Sequence, residues 1–421
     1  MIKKLFHFIL GYFFLFFLKF NIKINFFDNL KDLNFKQNDF INYKLIKHYI
    51  FKENFIKNKL ISDIHSFNFL FYFQRLGGKK GIEFSKKNIF LWYKKYKYYR
   101  TYPWTGDLIS KRFLNIIYNY DFISSISSEK EIKYLNQIIY FHKKRLIFEL
   151  KRKKNEDILS TEIVGYVLIK CLDNEFENFN FEKVKGIINS QIDNISMHKS
   201  YNILENSKFL NNLNEIKNIL LFFKNKNADR FNNLILSMTS ILSSYRHDDF
   251  TLPLFNGCNN NHNESIQNIL NKEQFVKTKP FKHFINGIAL YKDINKTIFF
   301  DVIQPTKLGF NKELSAGSLS LEISALGEKI ITNCGGSESS GKNPAYLKYS
   351  AAHSTIVINN TNISEIKEGE PNKTFPKNME FEIKEEDELT TLCGTHNGYI
   401  KNYQKICKRE IYINKKSNLI R

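Results

Sequence analysis

Two patterns of apolar residues follow one another along the chain. From about Asn38 to Tyr245, apolar side chains recur every three or four positions, the spacing of one helix face. The clearest segments are IHSFNFLFYFQRL, DLISKRFLNIIYNY, EIKYLNQIIYFHKKRLIFEL and NEIKNILLFFKNKNADRFNNLILSMTSIL. Asp107 and Ser128 stand at the start of two of them and are predicted helix N-caps. Short polar connections between the segments predict antiparallel helix pairs.

After Tyr245 the helical spacing ends. RHDDFTLPLFNGCNNNHNES is typical of a loop, since Asn, Asp and Gly cluster in it. GIALYKDINKTIFFDVI then predicts a strand, a tight Asp-Ile-Asn-Lys turn and a second strand. The stretch from Ser315 to Ile358 predicts two strands, a Gly/Ser-rich loop and a third strand entered by AAHST. Further strands are predicted in MEFEIKEEDELTTLCGTHNGYI and KICKREIYIN.

The predicted class is therefore α+β, with a helical domain followed by an antiparallel β-domain. We expect an apolar and basic segment at 1–37, the helical domain at 38–250, a linker loop at 251–274 and the β-domain at 275–421. No closing element follows the last predicted strand before Arg421, so the β-domain is expected to lack part of its sandwich.

The N-terminal segment MIKKLFHFILGYFFLFFLKF carries an apolar run from Leu5 to Leu18. The run is shorter than the ~20 residues that span a bilayer, so no stable transmembrane span is expected. It suits the apolar region of a signal peptide or an amphipathic first helix, and both interpretations stay open. The predicted location is the periplasm or cell envelope, with the cytoplasm as the alternative, and nothing in the sequence indicates an oligomeric state.

The formal net charge is +21 and the pI is near 9.4. Such a surface attracts polyanions, including nucleic acid, anionic lipid and acidic polysaccharide. A solvated lysine coat in a Lys-, Asn- and Phe-rich chain is the alternative. Nucleic acid is not expected as a partner, because the chain has no zinc-finger spacing, no RNP-type motif and no Walker loop. The five cysteines form no CxxC pair, so neither a zinc knuckle nor a dithiol redox site is indicated.

Five motifs in order resemble the heparinase II/III-like polysaccharide lyases. RHDDFTLPLFNGC is similar to that family's RHGDGxLxLFNGA, and LSLEIS, NCG, AAHST and THNGY follow it. The resemblance implies an (α/α) toroid docked on an antiparallel β-sandwich, with an active cleft between them. It also implies β-elimination on an acidic, uronate-containing polysaccharide. The alternative is a catalytically impaired glycan-binding or envelope-assembly protein on the same scaffold.

β-Elimination sets chemical demands that can be stated for any scaffold. A base removes the proton at C5 of the uronate, positive charge or hydrogen bonds neutralise the neighbouring carboxylate, and an acid protonates the leaving oxygen. Histidine and tyrosine suit the proton transfers, and arginine, asparagine and backbone N–H groups suit the carboxylate. On these grounds and on the motifs, the predicted catalytic residues are His198, Tyr201, His247, His353 and Tyr399. The predicted substrate-binding residues are Arg246, Asn202, Asn256 and His396.

Each candidate also has a structural interpretation that stays open. His353 could pack under a loop, Arg246 and His247 could form an interdomain ion-pair cluster, and Asn256 could serve a turn. Tyr399 could be an ordinary strand residue, and His198 could be a polar residue of a loop that connects two helices. QIDNISMHKSYN resembles the family's QxLPDGGHxSRNP and keeps His198, Ser200 and Asn202. Ile195 replaces its acid, Ser196 and Met197 replace its glycines, and Tyr201 replaces its arginine.

The resemblance also implies a metal in the sandwich, held in part by the histidine of AAHST. Its further ligands would come from the positions of Ser315 and Asn333, where this chain has a hydroxyl and an amide. Zinc prefers several nitrogen, sulfur or carboxylate ligands. We therefore expect no bound metal and no cofactor.

Overall fold

A computed structural model describes residues 61–98, 103–173, 181–259, 266–267, 269–270, 287–304, 314–336, 345–366, 374–417 and 419–421. The predictions for segment 1–37, and those for parts of the expected linker 251–274, lie outside these residues. The described residues form two compact units, one within 1–186 and 215–229 and the other within 187–214 and 230–421. The domain boundaries expected from the sequence stay predictions.

Helices fill the first half of the described chain, and antiparallel sheets fill the second, so the predicted α+β class is confirmed. The helices are α1 Ile61–Ser66, α2 Phe69–Leu76, α3 Gly78–Tyr96, α4 Gly106–Tyr118, α5 Tyr120–Ser124, α6 Glu129–Leu150, α7 Ser160–Leu172, α8 Phe181–Gln191, α9 Ile203–Phe222, α10 Asn232–Ser244 and the short α11 Ile400–Tyr403. No described helix is both long and apolar enough to cross a bilayer.

One of the two predicted helix caps is confirmed. The Ser128 hydroxyl accepts a hydrogen bond from the Glu131 amide, and the Glu131 carboxylate accepts one from the Ser128 amide, which completes a capping box. The prediction for Asp107 was wrong, because α4 begins at Gly106 with Thr105 as its N-cap. Asp107 lies inside the first turn instead, where its carboxylate accepts from the Thr161 hydroxyl and pairs with Lys111.

Two antiparallel sheets share one apolar core. The first sheet orders its strands β1-β2-β3-β4 and the second orders them β5-β6-β7. The strands are β1 Gly287–Lys292, β2 Lys296–Val302, β3 Leu321–Ala325, β4 Glu328–Ile331, β5 Met379–Glu385, β6 Leu389–His396 and β7 Cys407–Asn414. Phe300 and Ile323 from the first sheet meet Leu392 and Ile411 from the second in that core, which makes the pair a β-sandwich.

The strand predicted at AAHST does not form. Ser350–Ala352 is a 3-10 turn, and Ile358 makes only an isolated bridge with Thr361. The reason lies in Ser354, whose hydroxyl both accepts from the amide of Leu321 and donates to its carbonyl. A side chain thus satisfies the two backbone groups of β3 that a neighbouring strand would otherwise pair.

Candidate functional site

The candidate site lies within the unit that contains both sheets, on the face of the first sheet that points away from the shared core. Glu322 and Ser324 alternate along β3 with the core residues and are nevertheless buried, as is Ser320 just before the strand. The loop that follows α10 supplies His247, whose backbone amide donates a hydrogen bond to the Thr251 carbonyl. This polar face is therefore an internal surface.

His247 is fixed on this face through both ring nitrogens. Nδ1 lies 2.8 Å from the Ser324 hydroxyl, Nε2 lies 2.9 Å from a Glu322 carboxylate oxygen, and the ring packs edge-on against Phe299 at 4.9 Å. The residue is 1% exposed. An imidazole with both nitrogens engaged and no exposure is suited to joining loop and sheet, and these contacts favour the structural interpretation.

Glu322 is a buried carboxylate at the centre of this polar face, and the sequence did not single it out as a candidate. Besides His247, its carboxylate accepts hydrogen bonds from the backbone amides of Leu254 and Asn333, each at 3.0 Å. The side chain is fully buried. The signal was present in LSLEIS, where a carboxylate interrupts an otherwise apolar and hydroxyl-bearing strand, since a buried charge requires partners.

Arg246, Asn202 and Asn256 connect neighbouring loops. The Arg246 guanidinium donates to the Phe250 carbonyl at 3.2 Å and to the Gln267 side-chain oxygen at 3.0 Å, and it stacks on the Phe250 ring. Asn202 donates to the Asn256 carbonyl at 2.8 Å, and the Asn256 side-chain oxygen accepts from the Ser315 amide at 3.2 Å. These three side chains are buried and already use their polar groups within the protein.

The turn from Ile192 to Asn202 carries the two candidates that remain partly exposed, His198 and Tyr201. Asp193 holds it by accepting hydrogen bonds from the amides of Ile195 and Met197. His198 pairs through Nδ1 with the Ser200 hydroxyl at 2.8 Å. The Tyr201 ring lies against Gly287, where an added Cβ would sit 2.7 Å from two of its ring carbons. Only glycine at 287 leaves room for the tyrosine in this position.

Ser196, which stands where the family motif has a glycine, adopts a backbone conformation that favours glycine. Its φ is +69°, in the left-handed region that costs an L-residue about 1–2 kcal/mol. Serine at this position of the turn therefore carries local backbone strain.

Ser196→Gly is therefore expected to raise the free energy of unfolding by up to about 1 kcal/mol, because relief of strain exceeds the added entropy of the unfolded chain. Ser190→Gly is the matched control. Ser190 lies in α8 with ordinary helical geometry, so this change is expected to lower the free energy by about 0.5–1 kcal/mol. Urea unfolding monitored by circular dichroism measures both variants. Equal losses in the two would show that Ser196 is unstrained.

His353, Asn333 and Ser320 form a second buried group. Burial lowers the pKa of His353 to about 4, so the ring is neutral at pH 7. The carbonyl of Leu347 opposes that shift, but neither ring nitrogen reaches a partner with hydrogen-bonding geometry in the described part of the chain. The Asn333 side-chain oxygen accepts from the Ser354 amide at 2.9 Å. The Asn333 amide nitrogen and the Ser320 hydroxyl also have no partner among the described residues.

His396 and Tyr399 lie together in a third group with Ala316, Ile363 and Cys407. The Tyr399 hydroxyl lies 2.9 Å from the Ile356 carbonyl and 3.0 Å from that of Thr361, and the side chain is fully buried. His396 accepts from the Gly398 amide through Nδ1 at 3.1 Å, and burial lowers its pKa to about 4. The candidates thus fall into separate groups by their contacts, and among them only His198 and Tyr201 are partly exposed.

Comparison with known proteins confirms the predicted resemblance for the C-terminal part. Residues 281–421 match the family described as heparinase II/III-like, C-terminal. A heparinase III crystal structure matches with a TM-score of 0.68 and 12% identity, covering 97% of this chain and 74% of that one. A second heparinase III structure matches with a TM-score of 0.63 and 12% identity, covering 96% and 72%.

The heparan sulfate lyase HepC from Pedobacter heparinus matches with a TM-score of 0.56 and 12% identity. The match covers 87% of this chain and 62% of the lyase, so the chain spans less than two thirds of that protein's length. The search of curated proteins gives no match. At these identities the likeness establishes a shared fold.

Proposed function

On the premise that residues 281–421 are a heparinase II/III-like C-terminal domain within a polysaccharide-lyase fold, we propose that this protein cleaves an acidic, uronate-containing polysaccharide by β-elimination. The net charge of +21 supports a polyanionic substrate. We assign the reaction to the turn that carries His198 and Tyr201, because this turn is partly exposed and the other candidate histidines are buried.

Tyr201 is the residue on which the proposal mainly rests. Its hydroxyl makes no hydrogen bond with any described residue, although its ring is held against Gly287. Burial, with a smaller contribution from the Asp193 carboxylate, raises the pKa of Tyr201 to about 12. The phenol is therefore protonated at neutral pH and can donate its proton to a leaving oxygen.

His198 is suited to the uronate carboxylate. The Ser200 amide donates to Nδ1 at 3.2 Å, so the ring proton lies on Nε2. Burial lowers the pKa of His198 to about 4, and the ring is neutral at pH 7. An Nε2–H donor can bind one carboxylate oxygen and stabilise the negative charge that develops when the C5 proton leaves.

A phenol that begins protonated can relay the proton. The C5 proton passes to the Tyr201 oxygen while the phenolic proton passes to the glycosidic oxygen at C4. The C4–O bond breaks, a C4=C5 double bond forms, and Tyr201 ends in its starting state. The products are an unsaturated uronate at one new chain end and a free hydroxyl at the other.

The second candidate function is a glycan-binding protein without catalysis. It is favoured by His247, His353 and His396, which the family motifs suggest for a site but which are buried here. Incubation with a panel of uronate polymers separates the two functions. The lyase gives an unsaturated product detectable by ultraviolet absorbance, and a binding protein gives measurable affinity with no product from any polymer.

Tyr201→Phe is expected to lower kcat by about 100-fold or more, with KM changed far less, because the ring stays and only the transferable proton is lost. Tyr399→Phe is the matched control. It removes a buried hydroxyl that bonds to backbone carbonyls, so it is expected to lower the unfolding free energy by about 1 kcal/mol and leave kcat unchanged. A Tyr201→Phe enzyme with wild-type kcat would remove Tyr201 from the reaction.

A further inference from the structure

Four buried polar atoms around His353 lack partners among the described residues. They are both ring nitrogens of His353, the Asn333 amide nitrogen and the Ser320 hydroxyl oxygen. The three residues are 8%, 3% and 0% exposed. Buried polar groups are nearly always satisfied in folded proteins, so a cluster of this kind indicates an additional bound species.

The three residues lie in the same part of the sandwich. A Cβ placed on Gly317 would be 3.0 Å from the His353 ring and 3.3 Å from the Ser320 hydroxyl, so both groups border the same point. The Asn333 side chain is bonded to the amide of Ser354, the residue that follows His353. Contacts through Gly317 and Ser354 therefore connect the imidazole, the amide and the hydroxyl within one buried part of the sandwich.

The metal implied by the family resemblance does not fit these donors. The Ser354 amide is an obligatory donor, and it lies 2.9 Å from the Asn333 side-chain oxygen. This contact fixes the amide orientation and leaves the NH2 group as the open end, which has no lone pair for a cation. Among the described residues, no group of three or more His, Cys, Asp or Glu could hold a metal ion. One neutral imidazole and a hydroxyl are a poor zinc site.

We propose that this chain has replaced the sandwich metal with ordered water, held by the Asn333 NH2 group, the His353 ring and the Ser320 hydroxyl. A buried water typically makes 2–4 hydrogen bonds, and this cluster offers both donors and acceptors for them. The β-domain is then independent of metal for its stability. This holds whether the protein cleaves glycans or only binds them.

The wild-type protein tests the proposal directly. After dialysis against Zn²⁺, Ca²⁺ or Mn²⁺ and then metal-free buffer, elemental analysis is expected to find well under one ion per chain, roughly 0.1 or less. The thermal unfolding temperature is expected to be the same with and without EDTA. About one retained ion per chain, or a lower unfolding temperature in EDTA, would overturn the proposal.

Asn333→Asp tests the role of the amide. It keeps the acceptor for the Ser354 amide and turns the open NH2 group into a carboxylate oxygen. The new charge lies near Glu322, which accepts from the Asn333 backbone amide at 3.0 Å. Without metal the variant is expected to unfold at lower temperature, and Zn²⁺ at about 100 times its Kd is expected to raise that temperature by about 5 °C.

Asn378→Asp is the matched control, since it adds the same charge at an exposed position of the same unit, and no response to Zn²⁺ is expected. Equal responses to Zn²⁺ in both variants, or none in Asn333→Asp, would refute the claim that the amide excludes the metal. Should Asn333→Asp fail to fold even with Zn²⁺, the wild-type ion content decides alone. Lyase assays with and without EDTA keep this outcome separate from that of the proposed activity.

Discussion

Glu322→Ala is expected to lower the free energy of unfolding by about 4 kcal/mol or more. The substitution removes the acceptor of two backbone amides, those of Leu254 and Asn333, and the partner of His247 Nε2. Each buried polar group left without a partner costs about 1–3 kcal/mol, and the lost side chain leaves a cavity in addition. Because the carboxylate joins β3, the segment that follows β4 and the loop after α10, the loss affects all three.

Urea unfolding followed by far-ultraviolet circular dichroism measures this effect. Glu382→Ala is the matched control, because Glu382 is an exposed glutamate of the same unit whose side chain is 61% exposed, and a change below about 0.5 kcal/mol is expected. Glu322→Gln is expected to lose an amount of unfolding free energy between those of the two alanine variants, since the glutamine carbonyl oxygen can still accept from both amides. A loss of 1 kcal/mol or less in Glu322→Ala would mean that water replaces the carboxylate.

The elements of this fold were largely predictable from local pattern. The three- and four-residue spacing before Tyr245 and the alternation after Gly287 both follow from which face of an element is buried. The alternation in LSLEIS correctly predicts a strand, with Leu321 and Ile323 in the core. It fails as a guide to exposure, because a covering loop distant in sequence buries the polar face as well.

The candidate site was predictable only as a set of residue types. Nothing local distinguishes His247, whose two nitrogens are engaged, from His198, which remains partly exposed on its turn. The missing strand at AAHST has the same origin, since the Ser354 hydroxyl meets β3 through tertiary packing. Burial and partner geometry decide these roles, and both depend on contacts between distant segments.

Acidification from pH 6.5 towards pH 4 is expected to destabilise the helical unit, because two of its histidines are held neutral. His142 accepts from Arg112 Nε at 3.0 Å, and its Nδ1 lies 2.8 Å from the Ile138 carbonyl. His65 accepts from the Trp92 indole at 2.9 Å. Burial, with the Arg112 charge as the second cause, lowers the pKa of His142 to about 3 and that of His65 to about 4.

Proton binding determines whether the free energy of unfolding rises or falls with pH. Between the unfolded pKa near 6.5 and these folded values, the unfolded state binds more protons than the folded state. The stability that the two neutral histidines contribute is therefore complete above pH 6.5 and is lost as pH falls. Two histidines together give a slope of about 2–3 kcal/mol per pH unit between pH 6 and 4. Burial raises the pKa of Asp301 to about 7, which has the opposite sign, but Asp301 belongs to the other unit.

Tryptophan fluorescence can isolate the helical unit, since the chain's two tryptophans, Trp92 and Trp104, both stack on Arg112 beside His142. Urea unfolding followed by this fluorescence at several pH values gives the slope of the unfolding free energy against pH. His142→Gln offers an oxygen acceptor to Arg112 but cannot titrate, so the slope is expected to fall by about 1.4 kcal/mol per pH unit. An unchanged slope in this variant would show that His142 does not contribute to the acid sensitivity of the helical unit.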